Sequence, residues 1–278
     1  MGNLTIMSLL GALVKHLSDR YPISEILLFR FGFAIFAFVL LMRIAGGTAV
    51  LRTGRPLDHA IRTLCGIIAL SLFFYSVSEI PLADATTLAY SAPIFIVLFS
   101  IPLLGEHIGI RRWAAVILGF IGVILIARPD GASLNPGVVA GIGSAVTGAL
   151  VSIWLRKLNA TESFVTIGLI YNVSGTLVFA VWNTISGWVP PSGDDLALLI
   201  GFGMAAGFQQ VMFTLSYRYA EASFLAPFEY FILIMAAALG FIFWGEVPAM
   251  STWAGSAIIA FSGIFVMVRT RRTSQSGS

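Results

Sequence analysis

Polar and aromatic side chains recur at helical spacing inside otherwise apolar stretches of this chain. Ser71, Tyr75 and Ser78 stand at positions i, i+4 and i+7, which places them on one face of an α-helix. Hydroxyls, amides and rings that face a common hollow can bind a zwitterionic or amphipathic solute of modest size. The candidate binding residues of this kind are Ser71, Tyr75, Ser78, Tyr90, Trp154, Gln209, Gln210, Phe213, Glu229 and Tyr230.

Composition indicates that these stretches cross a membrane. The chain is 58% hydrophobic and 10% charged, which leaves too few polar side chains to cover a water-soluble surface. A span needs about 20 apolar residues, and Gly, Pro and charged residues divide the sequence into ten segments. The predicted spans are 3–18, 23–43, 58–79, 82–104, 110–128, 136–156, 163–186, 195–217, 222–244 and 250–268. The predicted fold class is all-α integral membrane protein.

The basic residues predict the orientation of these spans. Lys and Arg near span ends accumulate on the cytoplasmic side. With the N-terminus inside, 12 of the 16 basic residues lie on the inner side, and the remaining four are Lys15, Arg20, Arg128 and the intraspan Arg30. Both termini are therefore predicted to be cytoplasmic, with the chain in the inner (plasma) membrane.

Short sequence echoes suggest that one unit occurs twice. Gly-Ala-Leu-Val at 11–14 recurs at 148–151, and Gly-Glu at 105–106 recurs at 245–246. The intervals of 137 and 140 residues are close to half of the 278-residue chain. A duplicated unit is the interpretation that this register favours.

Five spans in each half is an odd number, so the second copy would enter the bilayer upside down. The predicted architecture is two inverted five-helix repeats, 1–130 and 131–278, around a central cavity. Spans 3, 4, 8 and 9 carry most of the candidate binding residues and are predicted to wall that cavity.

Each candidate residue also has a structural explanation. Ser and Thr within membranes often bond to their own helix, and Gln pairs often hold helices together. Aromatic residues gather at membrane interfaces, which accounts for Trp154 near the inner end of its span. Tyr75, Tyr90 and Tyr230 lie deeper and are less well explained in that way. Both interpretations stay open for these residues.

Prolines predict bends in the fourth and ninth spans. Pro93 and Pro102 in the fourth and Pro227 in the ninth each remove a backbone hydrogen bond from the helix interior. Pro93 and Pro227 are the predicted gating residues, since bends there would let these spans close the two mouths of the cavity alternately.

Rows of small residues predict close helix contacts. Gly137, Gly141, Ala145 and Ala149 repeat every four residues on the sixth span, as Gly203 and Gly207 do on the eighth. Such rows let helix backbones approach each other, and static packing explains most of them.

Two charged residues lie well inside spans, where an unpaired charge is unfavourable. Arg30 is expected to pair with Glu25, Glu79 or Asp84 near the outer surface. Glu229 either forms a similar ion pair with basic residues at the inner span ends, or binds a substrate ammonium group or a coupling proton.

Several classes of protein are excluded. The single cysteine, Cys65, rules out an internal disulfide, and His16, His59 and His107 are too scattered to form a metal site. No Walker-type loop is present, and the basic residues follow membrane topology rather than a nucleic-acid-binding face. No metal, cofactor or nucleic acid is predicted. The expected partners are the lipid bilayer and a small-molecule substrate, and the sequence is compatible with a monomer and with a homodimer.

Four segments resemble one known family. They are Arg30-Phe31, Thr-Leu-Ala-Tyr-Ser-Ala-Pro at 87–93, Leu-Leu-Gly-Glu at 103–106, and Trp113 followed by Gly-Phe-Ile-Gly at 119–122. Their order and spacing resemble the drug/metabolite transporter superfamily, in its EamA-type exporter branch. The resemblance implies an inner-membrane exporter of small metabolites, closest in character to the amino-acid exporters, the aromatic amino-acid exporters among them.

The ninth span departs from the family pattern. The family often has Glu-Pro at the position where this chain has Ile232-Leu233, and here Pro227 and Glu229 are displaced toward the start of the span.

The sequence thus predicts a secondary or facilitative transporter, not an enzyme, which exports small metabolites such as amino acids by alternating access. One alternative is a nucleotide-sugar or sugar-phosphate carrier. Such a carrier would place several Lys or Arg in its cavity for phosphate, and only Lys15 and Arg30 are candidates. The other is a membrane enzyme on lipid-linked substrates, which would need an acid–base cluster at one depth; the acidic residues stand singly.

Overall fold

The structure is a computed structural model of the full chain. It describes residues 2–44, 47, 53–105, 109–127, 135–219 and 230–275. Within these ranges the side chains at 2–4, 104, 111–112, 213–219 and 266–275 are not described.

The described chain is α-helical throughout and forms no strand. Its helices are α1 (Gly2–Ser18), α2 (Ile23–Ile44), α3 (Pro56–Glu79), α4 (Leu82–Ala89), α5 (Ala92–Leu104), α6 (Ile110–Ala127), α7 (Pro136–Asn159), α8 (Phe164–Ser186), α9 (Gly193–Tyr219), α10 (Phe231–Trp244) and α11 (Met250–Gln275). The all-α prediction is confirmed. The first part of the predicted ninth span, 222–229, lies outside the described residues.

Six segments are long and apolar enough to cross a membrane, with α4 and α5 counted as one of them. Four shorter apolar helices accompany them: Thr5–Ser18, Trp113–Ala127, Phe231–Trp244 and Met250–Phe265. These segments correspond in order to the ten predicted spans.

Local sequence sets where several helices begin and end. The side chain of Asn135 accepts a hydrogen bond from Gly137 N at 2.7 Å at the start of α7, and Ser163 accepts one from Val165 N at 3.3 Å at the start of α8. Helices α5 and α10 both end at a left-handed glycine, Gly105 and Gly245, each with φ of 66°. The two glycines stand 140 positions apart.

The surface of the helices carries large apolar side chains. Leu177 is 62% exposed and Phe241 is 60% exposed, whereas Phe31, Leu88 and Leu199 are fully buried. A water-soluble protein does not expose apolar side chains so widely. This surface therefore fits a lipid environment.

The fourth predicted span is interrupted at Tyr90 and Ser91, between α4 and α5. Pro93 lies in the first turn of α5, where proline is tolerated because that position needs no N–H for the helix. Tighter bonds connect the two helices, since Ser91 N donates to Leu88 O at 3.1 Å and Ile94 N donates to Ser91 O at 3.0 Å. The bend predicted at Pro93 is thus an interruption of the helix at Tyr90 and Ser91, just before the proline.

The small-residue row on α7 packs closely against α3 and α4. A Cβ added at Gly141 would lie 2.9 Å from Ser76 Oγ and 3.0 Å from Leu88 Cδ1. Ala145 and Ala149 farther along the row are buried. The close approach that this spacing predicted is confirmed.

Helices α6 and α11 contact each other in antiparallel orientation. Ser262 Oγ donates to Ala115 O at 2.6 Å, and Gly122 lies against Gly255, whose carbonyl oxygen would be 2.9 Å from a Cβ added at Gly122. As the residue number rises along α6, the partner number falls along α11. Small residues at these positions allow the backbones to approach.

Candidate functional site

Two tyrosines from opposite halves of the sequence meet in the interior. The Tyr90 and Tyr230 ring centroids lie 6.3 Å apart, with the rings inclined at 65°. Each tyrosine stands at a helix boundary, Tyr90 at the end of α4 and Tyr230 at the start of α10. The Tyr90 hydroxyl also donates to Met7 Sδ at 3.5 Å. The structure therefore brings together two of the predicted binding residues.

Three of the four helices predicted to wall a cavity pack in series, and the fourth touches them through one pair of rings. Helix α3 packs against α4, and α4 packs against α10. The Phe74 ring on α3 lies 6.0 Å from the Phe202 ring on α9. These contacts connect the third, fourth, eighth and ninth predicted spans, and a cavity among them stays a prediction.

The serines predicted on α3 bond to their own helix. Ser71 Oγ donates to Ile67 O and Ser78 Oγ donates to Tyr75 O, both at 2.8 Å. This is the structural explanation given above for intraspan hydroxyls. Tyr75 between them is 38% exposed, so its ring remains accessible at the surface of α3.

Gln210 belongs to a polar chain that links three helices. Its side-chain oxygen accepts from Asn172 Nδ2 on α8 at 3.4 Å, and Asn172 Oδ1 accepts from Arg30 Nη1 on α2 at 3.4 Å. Gln209 beside it is half-buried. Gln210 thus joins an interior polar network that the sequence reasoning did not connect to it.

Trp154 lies near the C-terminal end of α7. Its ring is half-buried, and Lys157 Nζ lies 4.8 Å from the ring centroid. Trp154 Nε1 is buried and has no hydrogen-bond partner among the described residues. The cation–π contact fits the interfacial explanation, and the buried Nε1 leaves a donor available inside the bundle.

Three of the predicted site residues cannot be placed. Glu229 and Pro227 lie outside the described residues. Phe213 lies on the backbone of α9, in the part of that helix whose side chains the structure does not describe.

The expected ion pair of Arg30 with Glu25, Glu79 or Asp84 is wrong. Arg30 turns toward Asn172 instead, while Glu25 accepts from Val189 N at 3.2 Å and Asp84 accepts from Thr252 Oγ1 at 2.7 Å. The prediction failed because it used depth along the helices alone, and Arg30 faces α8 rather than the helix ends.

A second buried arginine, which sequence reasoning missed, lies beside Arg30. Arg62 on α3 has its guanidinium carbon 3.9 Å from the Tyr171 ring centroid, and that of Arg30 lies 5.6 Å from the same centroid. Arg62 is one of the 12 basic residues predicted on the inner side. A polar face at His59, Arg62, Thr63 and Gly66, spaced i, i+3, i+4 and i+7 on α3, was the signal available in the sequence.

Ion pairs close one end of the bundle, where α1, α3 and α10 end. Lys15 forms an ion pair with Glu246 and also donates to Ile80 O at 3.0 Å. Glu246 accepts in turn from Leu82 N at 3.0 Å. Nearby, Arg20 Nη1 lies 3.1 Å from both carboxylate oxygens of Asp195. Lys15 is therefore neutralised rather than available as a cation in the cavity.

A groove of about 400 Å³ runs between α3 and α8. Its lining includes His59 and Thr63 from α3 and Ser174 from α8. Leu64 and Val178 also line it and are 60% and 45% exposed, so it opens to the outside of the bundle. In the part of the chain that the structure describes, no three His, Cys, Asp or Glu side chains form a group able to hold a metal ion.

Comparison with known proteins identifies the family. The EamA-like transporter family matches residues 1–128 and residues 135–269, nearly the whole chain. The chain belongs to the EamA-like transporter family. The resemblance drawn from the short motifs is thereby confirmed, and the protein is a membrane transporter of the drug/metabolite transporter superfamily.

Relatives of this chain are named for different solutes. The pseudopaline exporter of Pseudomonas aeruginosa is 33% identical over 268 residues, which cover 95% of this chain and 93% of the exporter. The S-adenosylmethionine uptake transporter of Rickettsia prowazekii is 26% identical, covering 99% and 92% of the two chains. The riboflavin transporter of Rhizobium johnstonii is 28% identical, covering 94% and 86%.

One solved crystal structure shares the EamA-like chain's fold. It matches with a TM-score of 0.67 and 20% identity, and the match covers 96% of this chain and 97% of the other.

All three sequence relatives described above are named as transporters or exporters.

Proposed function

We propose that this EamA-like protein is a secondary or facilitative exporter of small metabolites in the inner membrane, with amino acids, including aromatic ones, as its substrates. The observation that carries export is the 33% identity to a named exporter over nearly the full length of both chains. Amino acids fit the mixture of rings, amides and cations between the helices. S-adenosylmethionine, the solute named for a second relative, contains an amino-acid head group.

Two inverted five-helix repeats, 1–130 and 131–278, are the architecture that we propose for this exporter. The family matches two segments of similar length. An offset of 140 residues relates Ala115 to Gly255 and Gly122 to Ser262. The contacts Ala115–Ser262 and Gly122–Gly255 are therefore equivalent to each other, as expected for two copies around a two-fold axis. The equivalent Tyr90 and Tyr230 also meet.

Alternating access would take place where the two proposed repeats meet at Tyr90 and Tyr230. The bundle end that holds Lys15 and Glu246 corresponds to the outer side in the proposed topology, with both termini cytoplasmic. Ion pairs close that end here, which supports an arrangement in which the outer mouth is shut. Transport would then require these pairs to separate while the inner ends of the helices close.

The test is flux of radiolabelled amino acids in inverted vesicles or proteoliposomes, with and without a pH gradient. We expect concentration-dependent uptake of phenylalanine or another amino acid into inverted vesicles, above that of vesicles without the protein. Dependence on the pH gradient would assign proton coupling. An absence of flux for a panel of aromatic and aliphatic amino acids would exclude the proposed substrate class.

Pro93→Ala is expected to slow this transport several-fold while leaving substrate affinity and thermal stability nearly unchanged. Alanine restores a backbone donor at the break between α4 and α5 and thus favours a straighter fourth span. Pro136→Ala is the matched control, because Pro136 occupies the first turn of the unbroken helix α7. Equal transport rates for Pro93→Ala and Pro136→Ala would contradict a gating role for Pro93.

A phosphate-bearing solute remains the second candidate for one specific reason. From the sequence, only Lys15 and Arg30 are candidate cations for the cavity. In the structure Lys15 is paired with Glu246, and the second interior cation beside Arg30 is the buried Arg62. Two arginines suit phosphate as well as carboxylate. Sugar phosphates therefore belong in the same flux assay.

A further inference from the structure

Two arginines on different helices are both buried in the interior of the bundle. Arg30 on α2 is 9% exposed and Arg62 on α3 is 6% exposed. Arg62 lies about 9 Å from the start of α3, at 1.5 Å per residue. Arginines near span ends usually extend toward the aqueous interface. Both of these side chains are instead held inside the bundle.

Tyr171 on α8 holds both guanidinium groups in one place. The Arg62 guanidinium lies over the ring at 3.9 Å, and Arg30 lies 5.6 Å from the same ring and 4.8 Å from the Phe31 ring. The Tyr171 hydroxyl donates to Gly66 O at 3.1 Å, which fixes the ring. A Cβ added at Gly66 would lie 2.8 Å from Tyr171 Cε2. Glycine at this position therefore allows α3 and α8 to approach.

The guanidinium groups lack anionic partners in the described part of the chain. Arg30 donates to the neutral Asn172 side chain at 3.4 Å. Arg62 Nε and Nη1 are buried and have no hydrogen-bond partner among the residues that the structure describes. No carboxylate among the described residues lies within 4 Å of either guanidinium. Cation–π contacts compensate only part of the loss of hydration that two buried like charges suffer.

Two cations at the closed end of the bundle do have acidic partners. The half-buried Lys15 pairs with Glu246, and the exposed Arg20 pairs with Asp195. The two buried arginines at Tyr171 differ from these cations in this respect. Buried polar donors without partners are unfavourable, and a bound ligand is one way in which such donors are satisfied.

We propose that Arg30 and Arg62 form an oxyanion-binding subsite for the transported solute, with Tyr171 as its floor. This inference rests on the proposed function and specifies its substrate class: a solute with a carboxylate, or else a phosphate, that the two guanidinium groups share. Asn172 and Gln210 extend the subsite toward α9 with amide groups for the rest of the solute. For an amino acid, the α-carboxylate binds between the arginines.

The first experiment measures transport by Arg62→Gln and Arg30→Gln. Each variant is expected to raise the apparent KM for phenylalanine by about tenfold to a hundredfold, because a charge-assisted hydrogen bond is lost. Flux of phenylalanine methyl ester, which lacks the carboxylate, should be unaffected by either substitution. Arg62→Lys should recover part of the affinity, since the charge is kept and the bidentate geometry is lost. Arg55→Gln is the control, because Arg55 is exposed in a surface ion pair.

The second experiment does not depend on transport. Thermal unfolding of the purified protein is followed with added benzoate, inorganic phosphate or chloride. Wild type should be stabilised by benzoate or phosphate beyond chloride, and Arg62→Gln should lose that response. Without added anion, Arg62→Gln should be at least as stable as wild type, because a buried unpaired charge is removed. A purely structural Arg62 would instead give a destabilised variant with an unchanged anion response.

These outcomes separate the two proposals. An Arg62-dependent anion response without amino-acid flux would keep the subsite and exclude amino acids as substrates, and stabilisation by phosphate alone would assign a phosphorylated solute. If neither anion stabilises wild type more than chloride does, or if the ester and the acid respond equally to Arg62→Gln, the oxyanion subsite is wrong.

Discussion

Glu246→Gln is expected to lower the unfolding temperature of the detergent-solubilised protein by roughly 6–12 °C. Lys15 and Glu246 are largely buried, with side-chain exposures of 13% and 21%. Loss of one member of such a pair costs about 3 kcal/mol, because the other charge stays buried without a partner, and each kcal/mol corresponds to about 2–4 °C in a chain of this size. Glutamine also weakens the bond from Leu82 N. Differential scanning fluorimetry measures the shift.

Two further variants distinguish the buried ion pair from a general effect of charge. Lys15→Met combined with Glu246→Met should recover part of the stability, because no charge then remains buried. Asp58→Asn is the matched control, since Asp58 faces Arg55 at 3.8 Å in an exposed pair worth less than about 1 kcal/mol. Similar shifts for Glu246→Gln and Asp58→Asn would contradict a stabilising role for the Lys15–Glu246 pair.

Gly207→Ala is expected to destabilise the fold by about 1–3 kcal/mol through overpacking between α9 and α2. The added Cβ would lie 2.8 Å from Ala34 Cα and 3.0 Å from Ala34 O. These are backbone atoms, so the two helices must separate to relieve the contact. The loss is measured by thermal unfolding and by the monodisperse fraction in size-exclusion chromatography.

Gly201→Ala on the same helix is the control for Gly207→Ala. A Cβ at Gly201 would meet no atom within 4 Å, so alanine there should be neutral or stabilise α9 by up to about 1 kcal/mol. If Gly207→Ala is as stable as Gly201→Ala, the close packing of α2 on α9 does not limit stability.

Much of the fold could be predicted because it depends on local composition. Apolar segments of sufficient length must become helices in lipid, where each backbone group needs a partner within its own segment. The spacing of Gly203 and Gly207 predicted a close helix contact, and both glycines face the backbone of α2. The sequence echo at Gly105 and Gly245 corresponds to two helix ends with the same left-handed geometry.

The candidate site was only partly predictable, because it depends on how distant helices turn toward each other. Tyr90, Gln210 and Tyr230 are predicted binding residues that contact other helices in the structure, and their binding role stays a prediction. The partners of Arg30 were not predicted, since Asn172 lies 142 positions away and nothing local relates the two residues. Arg62 counts only as one of the 12 basic residues predicted on the inner side, because positional charge statistics do not distinguish a solvated arginine from one that a tyrosine ring holds inside the bundle.

The contact between Lys15 and Glu246 joins residues separated by 231 positions, which has a consequence for biogenesis. The ribosome completes Lys15 long before it reaches Glu246, so the first helix must enter the bilayer with its lysine unneutralised. Because Lys15 stands in the last turn of α1, its ammonium group can reach the lipid–water boundary before Glu246 is synthesised. That end of the bundle can be sealed only after nearly the entire polypeptide has left the translocon, which makes its closure one of the last steps of assembly.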